Sequence, residues 1–501
     1  MSHFRISAIA VLSILVFLFT GAAYGTTNIP VGSPVYQELE YLELKGLIAS
    51  AMLSSKPVSR RDARQLVFEA QESLRTRRVP ASSLSQKIIE RLKTEYGSEE
   101  KSRFRLSEKT AYLKASYFGR TPYFQNINNN GDSLIGGFNG RVGLSAGADF
   151  YDSVSIYLNP EYRIDEGSSN TELPLGYIDL EIGWANILAG RDSLWWGSGY
   201  NGALLVSNNA KPFDMVKFTT SHPVILPWFL GRLGLFKPTV FLARLEENRD
   251  FPSANLLGMR LDFKPTRHFQ FALNRTFMFG GEGRRSLEAS DWLRVFVASN
   301  SSEHETSPIN GNQLASIDAS YIYMNSNYPW LPLSAAKFYT EWGAEDSSGK
   351  TKTPSNRANM YGVYIDEPLF LKDTDLRVEW ANTARHTLDT LEWYSHLIYR
   401  TGYTFEGRVI GHHIGGDSKD IFIRGQHYIN SDLRVALEAE RNWADIHSNS
   451  RKKRDWIGVD FNYAMPKSLT LSGSLGYEKE KNGFGGDTKN TVAFLKLEKA
   501  F

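Results

Sequence analysis

The sequence predicts a mainly β chain: a large closed antiparallel transmembrane β-barrel preceded by a small N-terminal three-helix bundle. Three observations carry this expectation. The chain opens on an export signal, and no later segment is apolar for long enough to make a membrane helix. From about Phe104 onward apolar and polar residues alternate with period two, in stretches of about 10 residues, the length that a tilted bilayer-spanning strand requires. The last strand places Ala493, Leu495 and Leu497 on one side and ends the chain on Phe501.

Composition narrows the field. Among 501 residues, 57 Lys and Arg stand against 55 Asp and Glu, so the net charge of +2 provides no field to recruit nucleic acid. There is no cysteine, which removes disulfide frameworks and thiolate metal sites. Tyr (24), Phe (29), Trp (11) and Gly (41) are abundant, as strands, interfacial aromatic girdles and tight turns demand.

Residues 1–25 read as a signal peptide. Arg5 supplies the positive start, Ile6 to Phe19 is almost unbroken apolar sequence, and Ala23-Tyr24-Gly25 leaves small residues for cleavage near Thr26. The apolar run falls short of the roughly 20 residues that a membrane anchor needs. Residues 26–103 read as a periplasmic helical bundle. Its first helix is expected over Val35–Ile48, behind Pro34 and with Val35, Leu39 and Leu42 on one side. The second starts after Ser59 as N-cap and carries Ala63, Leu66, Val67 and Ala70 on one stripe. The third follows Ser82 or Ser83, buries Leu84, Ile88, Leu92 and Tyr96, and stops at Gly97. Such a bundle is too small to hold much core alone, so it is expected to brace or plug the following domain.

Residues 104–501 are the expected outer-membrane barrel. In Phe138–Phe150 the even positions are Phe, Gly, Val, Leu, Ala, Ala, Phe and the odd ones include Asn139, Arg141, Ser145 and Asp149. Leu433, Val435 and Leu437 oppose Arg434, Glu438 and Glu440; Ile457, Val459 and Phe461 oppose Asp460 and Asn462. A soluble sandwich also alternates. Export, strand length and the apolar C-terminal strand select the barrel, whose closure removes the exposed edges of a long sheet. The ending on Phe501 is similar to the assembly signal of bacterial outer-membrane barrels, with Lys499 departing from it. At roughly 20 to 25 residues per strand and connection, the region accommodates about 16 to 18 strands. With both chain ends on the periplasmic side, connections counted back from Phe501 alternate long and short, and His412–Asp420 falls on the outer side.

Two stretches carry candidate chemistry. Gly190–Asp214 contains Trp195, Trp196, three glycines within six residues, and Asn208-Asn209. It lacks the Lys-Ser/Thr ending of a phosphate loop. Flat rings stack on sugar faces and amides serve hydroxyls, so it reads as a carbohydrate surface; an aromatic girdle with turn glycines is the competing reading. Leu376–Ser418 mixes aromatic residues with Glu379, Asn382, Arg385, Glu392 and Arg400 and ends in Gly411-His412-His413-Ile414-Gly415-Gly416-Asp417-Ser418. Adjacent histidines on an extended segment point to opposite faces, so His412, His413 and Asp417 are expected to be hydrogen-bonded loop residues and no metal or cofactor is expected. Ser418 with His412 could form a hydrolase pair, and Glu379 with Glu392 a glycosidase pair, but neither spacing is constrained. Arg451-Lys452-Lys453-Arg454 reads as a solvated loop, or as a contact to lipopolysaccharide phosphates.

These stretches, Gly190–Ala210, Glu379–Thr383 and Arg408–Gly415 with Asp417-Ser418, resemble the Wzi capsule-assembly family of Gram-negative outer membranes, and the helical start resembles that family's N-terminal region. The resemblance implies a monomeric barrel of eighteen strands, closed to diffusion, with a periplasmic helical bundle and a lectin-like, non-enzymatic role in holding capsular polysaccharide or exopolysaccharide. The expected partners are that polysaccharide, outer-membrane lipids and lipopolysaccharide, and the barrel-assembly machinery during biogenesis. On chemistry, the candidate polysaccharide contacts are Trp195, Trp196, Asn208, Asn209, Glu379, Asn382, Arg408, His412, His413 and Asp417. The alternatives are a diffusion porin and an outer-membrane lipid or glycan hydrolase.

Overall fold

The computed structural model describes residues 26–76, 82–97, 103–151, 153–296, 307, 309–325, 328, 330–348, 353–385, 391–482 and 486–501. The signal-peptide expectation for residues 1–25 lies outside them. Eighteen strands make the wall: β1 (Phe104–Phe118), β2 (Gly137–Phe150), β3 (Val154–Asp165), β4 (Ser168–Ile182), β5 (Ala185–Asp192) and β6 (Phe213–Thr220). The next six are β7 (Leu235–Arg244), β8 (Asn255–Lys264), β9 (Phe269–Phe279), β10 (Asn312–Met324), β11 (Ala335–Ser348) and β12 (Thr353–Asp366). The last six are β13 (Thr374–Asn382), β14 (Lys419–Tyr428), β15 (Leu433–Ala444), β16 (Lys452–Met465), β17 (Leu469–Asn482) and β18 (Thr488–Ala500). Each pairs antiparallel with its chain neighbours, and β18 closes the barrel on β1 with Leu497 opposite Leu113.

The direction of the alternation decides between sandwich and membrane barrel. The apolar face points outward: Leu144 is 56% exposed, Leu437 63% and Leu475 65%. The polar face points inward, with Arg141 at 2% and Glu341 fully buried. A water-soluble sheet would bury the opposite set. An apolar outside and a polar inside suit lipid around a hydrated or protein-filled lumen.

Three helices gather at the end of the barrel that also holds the C terminus. They are α1 (Val35–Leu44), α2 (Arg60–Arg75) and α3 (Ser83–Tyr96). Ser59 caps α2 by accepting from the Asp62 amide at 3.0 Å, and Ser82 caps α3 through the Ser85 amide at 3.1 Å. The helix α1 stops at Leu44, four residues short of the expected Ile48. Gly46 turns the chain at φ +74°, and a Cβ there would lie 3.0 to 3.2 Å from Arg267 and Met324. Leu39, Leu42, Val67, Ile88 and Leu92 form the bundle core together with Tyr428 of the wall.

The polar face of α1 meets the barrel wall rather than water. Glu40 lies 3.0 Å from Lys337 and 2.6 Å from Arg377, Glu43 2.5 Å from Lys264, and Lys45 2.8 Å from Asp366. On α2, Arg61 reaches Glu181 at 2.5 Å and Asp62 reaches Lys237 at 3.1 Å; on α3, Arg91 donates to the Ser431 carbonyl at 2.5 Å. Glu40 and Glu43 are thus among the contacts that seat the bundle in the wall. Burial alone would raise the Glu40 carboxyl, but Arg377 and Lys337 overcome it and hold the group at about 2.

Replacing Glu40 by Ala leaves Lys337 and Arg377 buried and short of counter-charge, which is expected to cost about 3 kcal/mol. Since the folded value is depressed, the Glu40 contribution is complete above pH 4.5 and is lost as the pH falls toward 2. Hydrogen exchange of the α1 amides measures both effects; α1 protection unchanged by Glu40→Ala at neutral pH would contradict the ion-pair seating.

Candidate functional site

Both ends of the chain's irregular backbone turn into the lumen and meet there. From the helical end, Ser55-Lys56 forms a short antiparallel pair with Trp196-Trp195 of the connection between β5 and β6, and the Gly197 amide donates to the Ser54 carbonyl at 2.8 Å. From the far end, that connection (residues 193–212), the β1–β2 connection (119–136) and the β13–β14 connection (383–418) interlock. The Ser207 amide donates to the Ile410 carbonyl at 2.9 Å, and the Asn130 amide to the Asn208 carbonyl at 2.8 Å.

Carboxylates of the wall hold this plug. The Glu379 carboxylate on β13 accepts the Tyr200 and Asn201 amides at 2.7 and 2.8 Å, together with the Tyr339 hydroxyl at 2.5 Å. On β11, Glu341 accepts the Leu204 amide and Glu345 the Tyr394 amide, each at 2.9 Å. Glu478 on β17 accepts the Tyr123 and Phe124 amides at 3.1 and 3.2 Å. Four carboxylates on three strands therefore catch amides from all three far-end connections. Each such bond is worth roughly 0.5–3 kcal/mol, the upper end where the carboxyl is ionised.

The candidate residues occupy this framework. Trp196 is fully buried, packs against Phe241 at 5.3 Å between ring centroids, and donates its amide to the Val206 carbonyl. Trp195 is buried beneath Lys56, whose ammonium lies 5.3 Å from the ring. Asn208 donates to the Asn128 carbonyl and Asn209 to the Val409 carbonyl, both at 2.9 Å. Arg408 donates to the Asp132 carbonyl at 2.8 Å and to Asn129 Oδ1 at 2.9 Å. Asn382 accepts the Ala384 amide at 3.1 Å, and Asp417 accepts the Arg385 amide at 3.1 Å and the His447 amide at 2.8 Å. His413 Nε2 lies 3.0 Å from Glu440.

His412 sits on the connection at the end opposite the helices, as the count of connections from Phe501 expects, yet it is turned inward and buried. Its amide donates to the Tyr394 hydroxyl at 2.8 Å, and that hydroxyl donates to the Leu204 carbonyl at 2.6 Å. Burial, followed by the neighbouring His413, pushes the His412 imidazole well below its ordinary value, so it is neutral. Burial likewise raises the Tyr394 phenol well above its usual range and keeps its proton in place.

The proposed catalytic pairings are not formed by these groups. Ser418 Oγ donates to the Gly416 carbonyl at 2.8 Å instead of to His412. Glu379 is engaged by loop amides, while Glu392 pairs with Arg385 at 3.4 Å. Sequence reasoning missed Glu341, Glu345, Glu478 and Tyr394. One signal was available: Ala203-Leu204-Leu205-Val206 is an apolar run inside a connection, and all four residues are buried.

A closed eighteen-stranded barrel with an apolar wall and a lumen filled by its own loops defines a plugged outer-membrane β-barrel. The family described as Capsule assembly protein Wzi matches residues 111–491, and the chain belongs to that family. A Klebsiella pneumoniae protein described as an uncharacterized 55.8 kDa protein in the cps region is 26% identical over 363 residues, 71% of this chain. The match spans 65% of that curated relative's length. The solved structure of Escherichia coli Wzi, an outer membrane protein involved in group 1 capsule assembly and a carbohydrate binding β-barrel, superposes with a TM-score of 0.72. At 19% identity, with 95% of this chain and 99% of that one covered, it shares the fold.

A side chain at Gly202 would meet the His412 ring at 2.3 to 2.6 Å. Gly202→Ala is therefore expected to destabilise the plug by about 1–3 kcal/mol through overpacking. Trimming His412→Ala in the same chain should return part of the loss. Thermal unfolding of the two single variants and the double variant measures the coupling; strictly additive effects would contradict the contact.

Proposed function

We propose that this chain is a non-catalytic outer-membrane lectin that holds capsular polysaccharide or exopolysaccharide at the cell surface during capsule assembly. The observation that carries the reading is the closed lumen. Three far-end connections fold inward onto wall carboxylates, so the barrel presents a polar lid rather than a passage. Family membership and the carbohydrate binding of the Escherichia coli relative support the same role. In this reading the helical end faces the periplasm and the long connections face outward, as barrel convention has it.

The polymer then meets the exposed rim of the lid. Thr121, Asn248, Arg285, Glu406, Asn449 and Arg451 lie exposed on five far-end connections. Hydroxyl, amide and guanidinium groups of this kind bond sugar hydroxyls and carboxylates weakly one at a time, and a repeating polymer sums such contacts through multivalency. Trp195, Trp196, Asn208, Asn209, Glu379, Asn382, Arg408, His412, His413 and Asp417 act beneath the rim by keeping the lid in one shape. Lipopolysaccharide and the surrounding lipids contact the apolar wall and its basic margin at Lys452-Lys453, with the chain acting as a monomer.

Deleting the gene is expected to shift polysaccharide from the cell-bound to the shed fraction without lowering the total. Complementation with a chain carrying Asn449→Ala, Arg451→Ala and Thr121→Ala should restore the barrel to the membrane but only part of the attachment. An unchanged partition after deletion would contradict surface attachment.

A further inference from the structure

On the wall side of the plug, three side chains from three elements converge out of reach of solvent. His413 comes from the β13–β14 connection, Asp420 is the second residue of β14, and Glu440 lies on β15. One donor atom from each falls within 4.8 Å of the other two, and all three residues are more than nine-tenths buried. His413 Nε2 is 3.0 Å from Glu440 Oε1. Two polar atoms in the group have no hydrogen-bond partner: Asp420 Oδ1 and His413 Nδ1.

The charges do not balance with the side chains present. Among the described residues neither Asp420 nor Glu440 is in an ion pair with Lys or Arg. The neighbouring guanidinium, Arg454, stacks on Tyr123 at 4.1 Å and bonds Glu480 at 2.5 Å and Asn442 at 3.1 Å. Asn201 Nδ2 donates to Asp420 Oδ2 at 3.3 Å, and the Glu440 carboxyl faces the Asp420 carboxyl within hydrogen-bond reach. Two carboxylates facing one another in a water-poor interior repel strongly, and such a pair persists only with a cation or a shared proton between them. A divalent ion neutralises both and takes up the free oxygen of Asp420.

We propose that His413, Asp420 and Glu440 form a structural site for a divalent transition-metal cation of the zinc or manganese class, which fastens the plug to the barrel wall. One imidazole and two carboxylates are the donor set that borderline first-row ions take, and Asn201, from the β5–β6 connection, offers an amide oxygen once its side-chain orientation is reversed. Donor atoms around zinc sit about 3.3 Å apart, so a modest closing of the three side chains completes the site. The ion would then tie together β14, β15 and two of the three inward-turned connections. The inference is independent of what the outer rim binds.

Full-length protein purified in detergent, stripped with a chelator and incubated with Zn²⁺ or Mn²⁺ tests the site by elemental analysis and thermal unfolding. The expected result is about one ion per chain with a raised melting temperature, both lost in Asp420→Asn and Glu440→Gln. Absence of ion uptake by the wild type, or equal uptake by the wild type and both variants, overturns the proposal; the former outcome assigns the pair a shared proton. Where the variants fail to insert, electron paramagnetic resonance of Mn²⁺ on the wild type decides: coupling to an imidazole nitrogen supports the site, and a free aqueous signal refutes it.

Discussion

Backbone that is neither helix nor strand has to find hydrogen-bond partners wherever water is scarce. Inside this barrel that constraint organises the structure. A lumen lined by the polar face of eighteen strands supplies acceptors that a hydrocarbon core cannot. Glu341, Glu345, Glu379 and Glu478 take up amides of the inward-turned connections, and Tyr394 links two of those connections through its hydroxyl. The lumen thus serves as a folding surface for the loops, and its closure follows from satisfying them. At the opposite end the same rule acts on charges: the acidic face of α1 and the cations of α2 and α3 find counter-charges and carbonyls on the wall.

The proposed function draws on this arrangement. A barrel filled by its own loops offers the outside a fixed surface. In the proposed role that surface meets a flexible polymer, and rigidity then matters, because every degree of freedom the lid retains would have to be lost on binding. The apolar cluster of Trp196, Leu204, Tyr394, Tyr399 and Tyr403 and the carboxylate clamps around it supply that rigidity.

Much of this was legible in the sequence, and for identifiable reasons. Period-two alternation at Phe138–Phe150 and Leu433–Glu440 marks two faces, and export together with strand length turns the apolar face toward lipid. Ser59, Ser82 and Gly97 set helix limits through local capping chemistry, which one sequence displays directly. The end of α1 was not legible, because Gly46 reads as an ordinary late-helix glycine until Arg267 and Met324 crowd against it. The partner of each lumenal carboxylate was also hidden. Glu341 and Leu204 lie far apart in the chain, and nothing local records that they meet. Trp195 and Trp196 show the limit most clearly: exposed rings for stacking and buried rings for packing are spelled alike, and only the inward path of residues 193–212 separates them. The apolar run Ala203–Val206 was the one hint that this connection turns into the barrel.

Ion conductance in planar bilayers tests the carboxylate-held plug most directly. The wild-type barrel is expected to insert without an open-channel conductance, and a chain carrying Glu341→Ala, Glu345→Ala and Glu379→Ala to show frequent large openings as the connections lose their anchors. Open-channel conductance from the wild type, or a triple variant that inserts and stays as silent as the wild type, would contradict the account.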